Sequence, residues 1–181
     1  MSHTITGRVW KFGDNISGDN GIIEFSVIRD FSQPFDESGL AKMCFAKIDP
    51  DFPNNVRKGD LVVGGSNFAH HSHPQVAVAI KAAGIAAVIV ESTETGFLRK
   101  AVNYGLPLLL CPGIAGIVET GEELSVDLAT GQVKNLTTEA QLLAKPYSER
   151  MLAMIQHGGL IPYLKSSHER DSNDAADRMA G

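Results

Sequence analysis

The fold is decided by residues 61–111, which read LVVGGSNFAHHSHPQVAVAIKAAGIAAVIVESTETGFLRKAVNYGLPLLLC. Three short apolar runs, at 61–65, 85–90 and 106–111, alternate with two segments that suit helices, at 75–83 and about 94–104. Runs that are apolar on both faces are typical of parallel strands buried between helices. We therefore predict an α/β fold, with a mainly parallel core sheet flanked by helices.

The flanking sequence adds strands of a different kind. Residues 4–10 alternate as a strand does, and 124–133 read as an antiparallel β-hairpin around the turn 129–132. Ser148 is placed to cap a last helix, which the glycines at 158–159 would end. We predict one domain over 1–165, followed by a polar tail at 166–181 that is disordered.

Composition excludes several classes of function. The 181 residues carry 16 Lys+Arg against 21 Asp+Glu, a balance that argues against an electrostatic nucleic-acid binder. No apolar run approaches the roughly 20 residues of a membrane span, and the N-terminal residues lack a secretory apolar core. Cys44 and Cys111 form neither a CxxC pair nor a disulfide framework, so we expect a cytoplasmic protein.

Chemistry is expected in the loop 66–73, which joins the first middle strand to the helix that begins near Pro74. In parallel sheets, ligands bind beyond the carboxyl ends of strands, where helix N-termini attract anions. A carboxylate or a phosphate is therefore the ligand that this loop would face. The alternative is that the loop is a polar connector.

Three histidines and one serine within this loop invite two further interpretations. His71 and His73 could share a metal ion, but no Asp, Glu or Cys flanks them to complete a first shell, so we predict no metal site. Ser72 is adjacent to both histidines and could serve as a nucleophile. Because no third triad member is identifiable, a serine hydrolase is the weakest hypothesis.

Over residues 7–165 the sequence resembles that of a known protein family. The matching segments are GRVWKFGDNI (7–16), VRKGDLVV (56–63), KAAGI (81–85), VIVES (88–92), NYGLPLL (103–109) and GEEL (121–124). Together they are similar to the small subunit of 3-isopropylmalate dehydratase, which corresponds to the swivelling domain of aconitase-like hydro-lyases.

This resemblance implies a swivelling β/β/α domain and a role as one half of an enzyme. A large subunit would be the partner and would hold a [4Fe–4S] cluster, while this chain would bind no cofactor itself. The heterodimer would dehydrate and rehydrate a small hydroxy diacid such as isopropylmalate, as in leucine biosynthesis. Neither a nucleic acid nor a membrane would take part.

The resemblance also suggests site residues. Ser72 falls on the serine that abstracts a proton, Asp19 falls near the family's aspartate, and His73 replaces a second serine; we predict these three as catalytic. His71, Arg29 and Asn67 are the predicted substrate-binding residues.

Departures from the family pattern are concentrated in the loop. Pro74 replaces an arginine that would hold a carboxylate, so Arg29 or Arg99 would have to supply the cation. His71 stands where the family has a glycine. The chain is therefore predicted to be a dehydratase small subunit or a close paralogue with a related substrate. The alternative is a non-catalytic module, binding a metal or another ligand, that has lost the standard loop.

Overall fold

A computed structural model describes the backbone of residues 3–179 and the side chains of 3–169. Within that range seven strands form one sheet: β1 (Thr4–Lys11), β2 (Leu61–Gly64), β3 (Ala87–Val90), β4 (Leu108–Leu110), β5 (Glu123–Asp127), β6 (Gln132–Asn135) and β7 (Gln141–Leu143). The α-helices of the same range are α1 (Glu37–Met43), α2 (Phe52–Asn55), α3 (Pro74–Ala82), α4 (Thr95–Asn103), α5 (Glu149–Gln156) and α6 (Leu160–Met179).

The sheet has the order β4-β3-β2-β1-β5-β6-β7. The first four strands of that order are parallel, and β5, β6 and β7 continue from β1 as antiparallel neighbours. The carboxyl ends of β1, β2 and β3 therefore meet at one edge, where ligands bind in open parallel sheets.

Both faces of the parallel strands are covered. Val62, Val88 and Leu108 point into a core shared with α1, α3 and α4. Leu61 and Ile89, one register position away, point into a second core closed by β5, β6 and α5. Burial on both faces explains why these strands read as continuous apolar runs.

The sheet curls, so that its two ends approach each other. The amide of Lys145, just after β7, donates to the carbonyl of Leu110 in β4 at 3.0 Å. The Tyr147 hydroxyl is buried and bonds both the amide and the carbonyl of Leu108, at 2.6 and 2.7 Å. None of the helices in residues 3–179 combines the length and the apolar character that a bilayer crossing requires.

The predicted α/β fold with a mainly parallel core sheet and an antiparallel β-hairpin is confirmed. The strand β7, which extends the hairpin, was not predicted. Helix α6 runs across position 165, where the sequence predicted a domain boundary. That boundary, and the disorder of 166–181, stay predictions; residues 180–181 lie outside the described range, and the side chains of 170–179 are not described.

Candidate active-site loop

The loop between β2 and α3, residues 65–73, is called the active-site loop below. It lies between the loops that follow β1 and β3. The Gly18 amide donates to the His70 carbonyl at 2.8 Å on one side, and the Phe68 amide donates to the Ser92 carbonyl at 3.0 Å on the other. The loop is therefore held at the carboxyl edge of the sheet, as the sequence predicted.

The backbone of this loop is unusual for residues that carry a Cβ. Asn67, Ala69 and His71 have φ angles of 55°, 56° and 48°, in the left-handed region. Such a conformation costs about 1–2 kcal/mol per residue for L-amino acids. Neighbouring bonds enforce it: the Asn67 amide donates to Ser92 Oγ at 2.9 Å, and Thr93 Oγ1 donates to the Phe68 carbonyl at 2.6 Å.

Asp19 and His73 meet at the start of α3, although 54 positions separate them. Asp19 lies in a π-helical turn, Gly18–Ile22, and its amide donates to the His71 carbonyl at 3.1 Å. Its Oδ1 accepts the His73 amide at 2.9 Å, and its Oδ2 lies 2.7 Å from His73 Nδ1. Two contacts from one carboxylate therefore fix both the backbone and the ring of His73.

This pairing determines which nitrogen of His73 is basic. An ionised carboxylate can only accept hydrogen bonds, so Nδ1 must carry the proton that it donates to Asp19. In the neutral ring Nε2 is then the unprotonated nitrogen. The ring is half exposed, and Phe25 stacks on its face with ring centres 3.9 Å apart and an angle of 9° between planes.

Ser72 precedes His73 and is tightly packed. A Cβ at Gly18 would lie 2.5 Å from Ser72 Cβ, so only glycine lets the two loops approach this closely. Ser72 Oγ is buried, and no residue in the described part of the chain forms a hydrogen bond with it. The Ser72 carbonyl accepts a hydrogen bond from Lys100 Nζ at 2.6 Å.

The other two histidines form a pair of their own. His70 Nδ1 and His71 Nδ1 are 2.8 Å apart, so one ring must donate and the other accept. His70 Nε2 also lies 3.2 Å from the Asn15 carbonyl. Among the described residues no group of three or more His, Cys, Asp or Glu side chains could hold a metal ion.

Known proteins resemble this chain over nearly its whole length. Over 166 residues it is 43% identical to the isopropylmalate/citramalate isomerase small subunit of Methanocaldococcus jannaschii, covering 91% of this chain and 96% of that protein. Over 176 residues it is 41% identical to the methanogen homoaconitase small subunit of Methanothermobacter thermautotrophicus, with 96% and 99% covered. A crystal structure of 3-isopropylmalate dehydratase from M. jannaschii superimposes with a TM-score of 0.84 at 31% identity, covering 94% and 99%.

The chain belongs to the isopropylmalate dehydratase small-subunit family. No protein-family model matches the sequence, so this conclusion comes from the relatives and the shared fold. The swivelling-domain fold predicted from the resemblance is confirmed by the M. jannaschii structure.

Within this family fold, Asn67 is tied into the scaffold. Its amide donates to Ser92 Oγ, and its side-chain Nδ2 donates to Asn15 Oδ1 at 3.1 Å. The first bond ties the active-site loop to the segment that follows β3, and the second ties it to the loop that follows β1. A substrate role for Asn67 therefore rests on its side-chain oxygen and on the second N–H of its Nδ2.

Arg29 lies in an irregular segment beside α3. Its Nη1 donates to the Ser26 carbonyl at 2.6 Å, and its side chain is exposed. Arg29 and Gln75 line the same cavity of about 200 Å³, which brings Arg29 to the first turn of α3. In the described part of the chain no hydrogen bond or ion pair joins Arg29 to Ser72 or His73, so its role in binding substrate stays a prediction.

The cysteines do not fit an iron–sulfur cluster. Cys44 and Cys111 are buried in the two different cores. Burial raises the pKa of both thiols, that of Cys111 to about 11. Thiolates are the cluster ligands, and two protonated thiols in separate cores cannot supply a set of about four.

Two residues at the site were not predicted. Phe25 stacks on His73, and Lys100 bonds the carbonyl of Ser72. The sequence predicted that Arg29 or Arg99 would supply a cation near the loop. In the described structure Lys100 contacts the loop. The only signal for Lys100 in the sequence is its place in a helix that starts at the same sheet edge.

Proposed function

We propose that this chain is the small subunit of a hydro-lyase that removes water from, and returns it to, a small hydroxy diacid, and that it acts with a large subunit. Its relatives support this, because they are named as small subunits for isopropylmalate, citramalate or homoaconitate chemistry. The class of substrate, a hydroxy acid with at least two carboxylates, is common to these names. Isopropylmalate, and with it leucine biosynthesis, is the substrate that we test first.

The paired Asp19 and His73 carry this proposal. Dehydration needs a base that takes a proton from carbon next to a carboxylate, and rehydration returns it. The His73 Nε2 lone pair, left free by the bond from Nδ1 to Asp19, can hold such a proton. Ser72 Oγ is the neighbouring hydroxyl without a partner. We assign proton transfer to Ser72 and His73, with Asp19 acting through the His73 ring.

Substrate carboxylates need cations or hydrogen-bond donors. Arg29 borders the cavity at the first turn of α3, and the exposed His71 lies one residue before Ser72. We assign both to substrate binding, with Asn67 as a further donor or acceptor at the far end of the loop. These assignments extend the sequence predictions.

The [4Fe–4S] cluster belongs, in this proposal, to the large subunit, since the thiols and imidazoles within residues 3–169 do not form a set that fits it. When bound there, the cluster would act as a Lewis acid on the substrate hydroxyl. This chain would close over that centre and provide the proton-transfer and anion-binding groups. A cytoplasmic location is part of the same proposal.

The test is to reconstitute the chain with its cognate large subunit and follow hydration of the unsaturated diacid by its ultraviolet absorbance. The wild-type pair should turn over one of the isopropylmalate, citramalate or homocitrate families of substrates. His73→Ala and Asp19→Asn should each lower kcat by about 10²- to 10⁴-fold. His157→Ala, on an exposed histidine at the end of α5, should leave activity unchanged.

The outcomes separate the alternatives. An inactive wild-type pair on all three substrate families would support the non-catalytic module instead. An active pair in which His73→Ala keeps full activity would remove the assignment of His73 alone. ¹⁵N NMR of the isolated chain gives an independent readout, because the His73 tautomer should be Nδ1–H in wild type and should change in Asp19→Asn.

A further inference from the structure

Lys100 reaches the active-site loop even though it lies in the last turn of α4. Side chains on a helix lean toward its N-terminus, which for α4 is the carboxyl edge of the sheet. Gly96, one turn earlier, lies beside the ammonium: a Cβ built there would make an ordinary contact with Lys100 Nζ at 3.8 Å. The ammonium therefore arrives at Ser72, whose carbonyl it meets at 2.6 Å.

The charge of this ammonium is not balanced by its surroundings. Among the ion pairs of the described residues none includes Lys100, so no carboxylate there lies within 4.0 Å of its Nζ. The first turn of α4 contains no acidic residue, and its N-cap residue, Glu94, forms none of the ion pairs of the described residues. A partly buried ammonium that is paired with no described carboxylate can accept an anion from outside the chain.

The groups around Lys100 show where that anion would sit. One of its three N–H donors is used by the Ser72 carbonyl, so two remain. Pro74 opens α3 without an N–H, and the His73 amide is already bonded to Asp19. Lys100 and the Ser72 hydroxyl, which has no described partner, are therefore two groups with unused donors near the start of α3.

We propose that Lys100 is a substrate-binding residue, whose ammonium pairs with a carboxylate of the hydroxy diacid next to Ser72. This inference rests on the proposed function. It assigns to Lys100 the positive charge that no Lys or Arg of the active-site loop provides. An ammonium that only tethers the loop would need its hydrogen bond but not its charge. An ammonium that binds a carboxylate needs the charge.

Three substitutions in the reconstituted pair distinguish these roles. Lys100→Gln retains an N–H donor for the Ser72 carbonyl without the charge, Lys100→Met removes both, and Lys100→Arg retains both. Because hydrogen bonds to charged groups contribute about 1.5–3 kcal/mol, the Gln and Met variants should raise KM by about 10- to 100-fold, with a smaller change in kcat. Lys100→Arg should stay within a few-fold of wild type.

A competitive inhibitor supplies a second measurement. The inhibition constant of malate should rise by the same factor as KM in Lys100→Gln. Lys42→Met, on an exposed lysine in the last turn of α1, is the matched control and should change neither constant.

An unchanged KM and inhibition constant in Lys100→Gln, with an active wild-type pair, would overturn the inference and leave only a loop tether. If the Met variant fails to fold, the Gln variant still decides the question. An inactive wild-type pair would instead refute the proposed function, so the two failures are distinguishable.

Discussion

Replacing Ser72 by alanine should stabilise the folded chain. The Ser72 hydroxyl is buried, and the described residues provide it with no hydrogen-bond partner. A buried polar group left unpaired costs about 1–3 kcal/mol, because it loses its bonds to water and gains none. Natural proteins keep such groups mainly where function requires them.

The size of the effect follows from what alanine removes. The substitution deletes one oxygen and retains the Cβ that packs against Gly18. The dispersion lost with one atom is a few tenths of a kcal/mol, at about 0.1–0.2 kcal/mol per contact. The net gain in the free energy of unfolding is therefore about 1 kcal/mol, which for a chain of this size raises Tm by roughly 2–4 °C.

Ser92 provides the matched control. Its Oγ accepts the Asn67 amide at 2.9 Å and so helps to hold a left-handed residue. Ser92→Ala should therefore lower stability by about 1 kcal/mol, opposite in sign to Ser72→Ala. Urea unfolding of both variants, with calorimetry for Tm, measures the difference.

The activity of the Ser72→Ala variant is the second measurement. In the reconstituted pair Ser72→Ala should lower kcat if the hydroxyl takes part in proton transfer, so one substitution would raise stability and reduce function. A Ser72→Ala chain that unfolds more easily than wild type would refute the reasoning, since it would mean that the hydroxyl is satisfied in solution.

Three further predictions concern the scaffold and the loop. Burial alone would raise the pKa of Asp60, but hydrogen bonds from Arg8 and two other donors outweigh burial and hold that pKa below its usual value. The lowered pKa stabilises the folded chain. This stabilisation is complete above the unfolded pKa of about 3.9 and is lost as the pH falls through the folded value. Asp60→Asn should thus lose about 3 kcal/mol at pH 7 and show a flatter decline in acid unfolding than wild type, and parallel acid curves would contradict this. His71→Gly should be about 1 kcal/mol more stable than His71→Ala in urea, because only glycine relieves the φ of 48°, and equal stabilities would show that the strain is absent. Cys44 and Cys111 should not react with dithionitrobenzoate in the native chain and should both react once it is unfolded, because burial raises the pKa of each thiol; rapid labelling of the native protein would argue against their burial.

The parallel core was predictable because the burial of each strand is recorded in that strand's own residues. Strands such as β2 and β3 are buried on both faces, and that burial appears in the sequence as unbroken apolar runs ended by glycines. Strand β7 was missed because it is only three residues long and has no buried residue, so it leaves no apolar pattern. Its place is decided by pairing with β6, which single-segment patterns cannot show.

The position of the candidate loop was predictable, but the contacts within it were not. A loop after a parallel strand must lie at the carboxyl edge, so the surroundings of Ser72 followed from the fold. The contact between Asp19 and His73 spans 54 positions, and that between Lys100 and Ser72 spans 28. Such contacts depend on the approach of separate loops and on the room left by glycines, which a single sequence does not encode in any local pattern.

The two contacts that Asp19 makes to His73 differ in what they require of the sequence. The bond from the His73 amide would form with any residue but proline at position 73, so it belongs to the scaffold. The bond at Nδ1 needs an imidazole, so it depends on the side chain that stands here in place of the serine of the family pattern. The scaffold contact therefore positions whichever side chain occupies position 73, and histidine converts that position into a group with a defined tautomer. The bond to the His73 amide thus tolerates a change of side chain at position 73, and the loop is left-handed at Asn67, Ala69 and His71 although none of these residues is glycine.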